Sequence, residues 1–165
     1  MNTSNRNHWQ YCLHMALAAV LVAISSFYPI LTGQAASFLY VATSGNDDND
    51  CLAAITPCRT VSAAIRKASD GDTIRVADGL YAENLSIDKS ITISGAGNST
   101  TYIDGAKHDR VIHVLSGQNV NLIGVTIQNG FLSGQHSGGG GISNEGTLII
   151  SGSIIQNNEV VNLYY

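Results

Sequence analysis

The chain has 165 residues, 44% of them hydrophobic and 12% charged, with 8 Lys and Arg against 12 Asp and Glu for a net charge of −4. That length holds one domain of ordinary size. An acidic balance with no basic stripe excludes the electrostatic footprint of a nucleic-acid binder, and no nucleic-acid partner is expected.

The segment from Met1 to Met15 is polar, with one full positive side chain, Arg6; Ala16 to Leu31 (ALAAVLVAISSFYPIL) is apolar and uncharged, and TGQAAS follows. Small residues at Gly33 and Ala35 suit the shallow pockets of signal peptidase, so residues 1–35 read as a secretory signal peptide. The apolar run is shorter than the ~20 residues that span a bilayer, which ranks a retained anchor helix second. Cys12 precedes that run and is therefore no lipoprotein cysteine. Export would remove 35 of the 165 residues, leave 130, and shift the net charge from −4 to −5 as Arg6 goes. Cys51 and Cys58, in CLAAITPC, remain. In an exported chain such a pair most simply forms one disulfide that staples a loop; a metal reading lacks a second ligand pair.

In residues 36–70, FLYVATSG (Phe38 to Gly45) alternates like a short strand. The polar loop GNDDND follows, and its Asp47, Asp48 and Asp50 are candidate ligands for Ca²⁺, although no Glu closes the loop at EF-hand spacing. The competing reading is an acidic turn held by the disulfide. RTVSAAIRKASDG carries the one helical pattern: Val61, Ala64, Ile65 and Ala68 share a face, Thr60 is a fair N-cap, and Asp70-Gly71 is the expected stop. So narrow a face predicts a lid on something larger.

Residues 71–165 change to short β-rich runs between Gly, Asn, Asp and Ser. Strands are expected at 73–76, 85–87, 91–94, 101–103, 111–115, 120–123, 125–127, 148–150, 153–155 and 160–163. GVTIQNG from Gly124 and GSIIQNN from Gly152 nearly repeat, 28 residues apart; Gly95, Gly124 and Gly152 recur at spacings of 29 and 28, each two places after Ile93, Leu122 or Ile150. A period of that length predicts a coil of short strands in which equivalent residues stack at ~4.8 Å. Asn129 and Asn157 are expected to form a structural asparagine ladder at one turn. The helix would cover the first coil, whose apolar end and strand edges otherwise invite aggregation. The chain stops at the apolar EVVNLYY, so an incomplete last coil, or self-association through that open coil, is expected.

GDTIRVADGLYAENLSIDKSITISGAGNSTTYIDG (Gly71 to Gly105) resembles the opening coils of right-handed parallel β-helix proteins in the pectate-lyase-like superfamily. GNDDNDCLAAITPCRTVSAAIRKA resembles the segment that precedes those coils in exported bacterial members, and GGGGISNEGTLIISGSIIQNN is similar to the Gly-Gly-Ile-x-Asn repeats of polymorphic outer-membrane proteins. The resemblance implies an all-β fold, a right-handed parallel β-helix of about four coils with a short N-terminal capping helix. It spans polysaccharide lyases, pectin esterases, uronate epimerases and surface proteins, so it does not fix a reaction. A lyase would need acidic residues holding Ca²⁺ beside an Arg or Lys that acts at a uronate. DGAKHDR supplies Asp104, Asp109 and Arg110 as candidates, against a solvated turn; no spacing here defines a catalytic set. His113, between Ile112 and Val114, is expected to point outward. The leading expectation is a secreted or cell-surface scaffold contacting a polysaccharide or cell-surface glycan. A uronate lyase or epimerase and an inactive piece of a longer β-helix are the alternatives.

Overall fold

The computed structural model describes residues 35–134 and 138–161; the expected signal peptide, Ala35 apart, lies outside the described residues. Fourteen strands among them gather into parallel sheets. The first sheet runs β1 (Phe38–Val41), β2 (Thr73–Val76), β5 (Thr92–Gly95), β8 (Asn119–Ile123) and β12 (Thr147–Ser151). The second runs β3 (Gly79–Ala82), β6 (Thr101–Asp104), β9 (Thr126–Gln128) and β13 (Ile154–Gln156), and the third β4 (Leu85–Ile87), β7 (Ile112–Val114) and β11 (Ile142–Asn144). A short pair joins β10 (Phe131–Ser133) to β14 (Glu159–Val161). From β2 onward the chain visits first, second and third sheet in turn and begins again, the third pass adding β10 before β11 and the last running from β12 and β13 to β14. The described residues are thus all-β with a single short helix, α1 (Val61–Lys67), and their topology is compatible with a parallel β-helix.

Register explains the repeat. Ile74, Ile93, Leu122 and Ile150 are successive partners across the first sheet, and Tyr81, Ile103, Ile127 and Ile155 across the second. Each strand alternates, so these columns face inward, and all but Ile150 and Ile155 are buried. Burial of each such side chain contributes roughly 1.5–3 kcal/mol. Gly95 follows the paired residue Ser94 and lies close to the next pass: a methyl there would sit 2.5 Å from the Gly124 carbonyl oxygen. Gly124 itself turns the chain with a φ of +64°, which favours glycine.

The asparagine ladder takes a different form from the one expected. Asn129 and Asn157 share a left-handed turn, with φ of 56° and 55°, but the Asn129 amide donates to Asp104 Oδ2 at 2.7 Å rather than to Asn157. The side chains that climb from pass to pass stand one residue earlier. Gln128 Nε2 donates to Asp104 Oδ2 at 2.8 Å, and Gln156 Nε2 to Gln128 Oε1 at 3.0 Å. Asp104, Gln128 and Gln156 are register partners whose side chains lie side by side, and the left-handed Asn129 adds its amide to the Asp104 carboxylate.

The helix ends at Lys67, short of the expected Asp70-Gly71 stop. Seven residues make a marginal helix alone, and this one is held at both ends. Thr60 Oγ1 accepts from the Ala63 N–H, and Glu83, from the β3–β4 turn, accepts from the Val61 and Ser62 N–H groups at 2.8 and 2.9 Å. At the other end the Lys89 ammonium donates to the carbonyls of Ile65, Arg66 and Ala68, terminating the helix there. The buried face, Val61, Ala63, Ala64 and Ile65, joins the core. A disulfide joins Cys51 to Cys58, and their loop covers the free edge of β1: the Tyr40 N–H donates to Cys51 O, and the Cys58 N–H to Tyr40 O, both at 2.8 Å. Helix and loop together close the first end of the stack against the pairing an open edge invites.

Candidate functional site

The outer face of the third sheet carries a groove of about 610 Å³. In β4 and β7 the flanking Leu85, Ile87, Ile112 and Val114 are buried, so alternation turns Ser86 and His113 outward, as expected for His113. Ser86, His113 and Ser143 are direct register partners on three adjacent strands, one column of hydroxyl, imidazole and hydroxyl. Glu145, one residue beyond β11, places Oε1 at 2.9 Å from His113 Nε2. Arg110 enters from the β6–β7 turn. That turn is fixed by the Asn84 side-chain amide, which donates to the Asp109 and Arg110 carbonyls at 3.2 and 2.9 Å. A methyl on Gly138 would lie 2.9 Å from Ser143 Oγ and 3.0 Å from Arg110 Nη1, so a glycine keeps this rim open.

Of the three catalytic candidates, the structure brings together Asp109 and Arg110, both at the groove. Their own contact is loose, Arg110 Nε to Asp109 Oδ1 at 3.9 Å, and Asp109 Oδ1 accepts from the Arg110 N–H at 2.7 Å. Asp104 lies apart, buried beneath the second sheet's turn. Burial would raise its carboxyl, but hydrogen bonds from the Ala106 N–H and the Gln128 and Asn129 amides outweigh that and hold it below the ordinary carboxylate value.

The acidic loop is otherwise engaged. Asp47 accepts from the N–H groups of Arg59 and Thr60 at 2.8 and 2.9 Å and from the Thr60 hydroxyl. Burial raises its carboxyl, but the Thr60 and Arg59 hydrogen bonds and Lys67 overcome this and leave it lowered. Asp50 accepts from the Leu52 N–H at 3.1 Å. The Lys67 ammonium meets the carbonyls of Asp47 and Asn49, the backbone oxygens a cation would use. Among the described residues no three His, Cys, Asp or Glu side chains converge as a metal-ligand set, and Asp47, Asp48 and Asp50 do not come together as the Ca²⁺ site expected of this loop.

Sequence reasoning passed over Ser86, Ser143, Glu145 and Asn84. Their signal is spacing: Ser86, His113 and Ser143 stand 27 and 30 residues apart, close to the 28–29-residue period of the glycines. The groove has a guanidinium to pair an anion, hydroxyls and an amide to bond sugar hydroxyls, and an imidazole–carboxylate pair able to move a proton. No protein-family model matches the chain, and no curated protein matches it.

Proposed function

We propose that this protein is an exported right-handed parallel β-helix of about four coils, a secreted or cell-surface scaffold whose third-sheet groove contacts an acidic glycan. The coil count follows the successive passes β2–β4, β5–β7, β8–β11 and β12–β14, and the handedness follows the superfamily resemblance. The observation that carries the glycan reading is Arg110 standing beside the Ser86–His113–Ser143 column on one rigid sheet face. Arg pairs a carboxylate bidentately while Ser86 and His113 of the column meet ring hydroxyls. Calorimetry with polygalacturonate and its methyl ester tests this. Binding of the acid form, weakened at least tenfold by Arg110→Gln with the fold retained by circular dichroism, is expected. Equal binding by the ester, or an unaffected Arg110→Gln, refutes it.

A second reading, uronate lyase or epimerase, is favoured by one observation: the 2.9 Å His113–Glu145 contact beside Arg110. In that reading His113 removes the C5 proton next to the uronate carboxylate, Glu145 orients the ring, and Arg110 steadies the enolate charge. In a lyase the enolate collapses as the bond from C4 to the glycosidic oxygen breaks, and that oxygen leaves protonated by the imidazolium or water. In an epimerase water returns a proton to the opposite face of C5. New ultraviolet-absorbing unsaturated ends would mark a lyase, and altered uronate composition an epimerase. Neither product over a long incubation leaves binding alone.

A further inference from the structure

The outer face of the first sheet, at the opposite end of the sequence from Glu145, holds a second cluster. Alternation in β1 and β2 buries Leu39, Val41, Ile74 and Val76 and leaves Phe38, Tyr40, Thr73 and Arg75 outside. Register sets Tyr40 beside Arg75, and Phe38 beside the smaller Thr73. Arg75 can therefore lean across Thr73: its guanidinium carbon lies 4.1 Å from the Phe38 ring centroid and 6.0 Å from that of Tyr40. The ring face attracts the cation and keeps it flat against the sheet. Among the described residues no carboxylate pairs with Arg75, the two ion pairs there being Arg110–Asp109 and His113–Glu145. Phe38 remains 46% exposed beside it, so aromatic surface and cation both face solvent.

A concavity of about 400 Å³ adjoins this cluster, bounded by Tyr40, Arg75 and Ser94 on the sheet and by Ala54 and Pro57 of the disulfide loop. The loop wall is fixed rather than loose. The Ala42 N–H donates to Cys58 O at 2.9 Å, and the Asn46 N–H and the Asn49 side chain both donate to Pro57 O. A guanidinium with no carboxylate partner among the described residues, two aromatic rings beside it on β1 and a loop wall of Ala54 and Pro57 held by backbone hydrogen bonds form a preorganised arrangement for a ligand that is at once planar-anionic and apolar on one face.

We propose that Phe38, Tyr40 and Arg75 form a second binding site, for a sugar residue bearing an oxyanion. Arg75 takes the carboxylate or sulfate through its forked N–H donors, the C–H face of the pyranose lies on the exposed aromatic surface, and Ser94 Oγ meets a ring hydroxyl. The site is independent of the Arg110 groove, because it sits on another sheet and shares no residue with it. Titration of ¹⁵N-labelled protein with trigalacturonate, its methyl ester and glucose 6-sulfate tests it. Saturable shifts at the amides of Thr73, Arg75 and Ser94 with trigalacturonate or the sulfate, and none with the ester, are expected. Arg75→Gln should weaken that binding at least tenfold, and Phe38→Ala severalfold; both residues are exposed, so amide spectra of the variants should keep the native dispersion. A response to the sulfate alone assigns the oxyanion to a sulfate ester and upholds the site. Shifts confined to Ser86, His113 and Ser143 overturn this site while supporting the groove. Silence of Thr73, Arg75 and Ser94 with both anions, or undiminished binding by Arg75→Gln, also overturns it.

Discussion

Asp104 illustrates how a single carboxylate is committed to structure. It accepts from the Ala106 N–H at 2.8 Å and from the Gln128 and Asn129 amides at 2.8 and 2.7 Å, and Gln128 in turn accepts from Gln156. These donors favour the charged form, so its carboxyl titrates below the ordinary 3.8 despite burial. Asp72 behaves alike. Burial raises it, but N–H groups of Ser69 and Ser37, the Ser37 hydroxyl and Lys89 lower it further. Because the folded values are depressed, the stability from these groups is complete above 3.8 and is lost as pH falls through the folded values. Urea unfolding at pH 7 and at successive values below 4 should show the native protein weakening on the acid side. Asp104→Asn should cost about 1–3 kcal/mol at pH 7 and show a smaller acid-side loss than the native chain, with Asp72 and Asp47 supplying the remainder. An unchanged acid slope in Asp104→Asn would mean that the ladder is not charge-assisted.

At the scale of elements, α1 shows the same division between sequence and tertiary partners. Its apolar face and Thr60 cap are readable from spacing, but Glu83 and Lys89, which hold its two ends, come from turns 16 and 22 residues after Lys67. Lys89→Met would leave the carbonyls of Ile65, Arg66 and Ala68 without their donor and should destabilise the chain by about 1–3 kcal/mol. Amide exchange should accelerate first at Ala64, Ile65 and Ala68; unchanged exchange there would show that the apolar face alone holds the helix. The strands divide similarly. Runs such as TIRV, TYID and NVNLI carry alternating β-branched residues and are readable directly. GLYA, FLS and ISN, which are β3, β10 and β11, are not, since each presents at most two large apolar residues and becomes a strand only because a neighbouring pass supplies its hydrogen bonds. The groove was hidden for a related reason. Ser86, His113 and Ser143 share a column only after turns of unequal length are absorbed, so their spacings of 27 and 30 do not match as the glycines nearly do.

For the whole molecule, the disulfide links stability to the compartment in which the chain folds. The Cys51–Cys58 loop lies along β1, and β1 is the free edge of the five-stranded first sheet. Closing a loop of this sequence separation, 7, stabilises a chain by about 2–3 kcal/mol through the unfolded state, and it also keeps an edge covered that would otherwise pair with other chains. Such a bond persists in an oxidising compartment and is lost in the cytosol, so the export reading and the covered edge stand on one chemical condition. The sequence makes this countable. It holds 3 cysteines, and Cys12 falls within the expected signal peptide. Denaturing thiol titration of protein made with its leader in an exporting host should find no free thiol, as cleavage removes Cys12 and oxidation consumes the pair. One free thiol would mean that the leader is retained, and two that the leader is cleaved but the pair stays reduced. Protein made in the cytosol without residues 1–35 should show two free thiols, unfold at lower urea by an amount corresponding to about 2–3 kcal/mol, and aggregate more readily. Equal stability of the two preparations would detach the disulfide from the edge it covers, and the hydrogen bonds between Tyr40 and the two cysteines would then suffice alone.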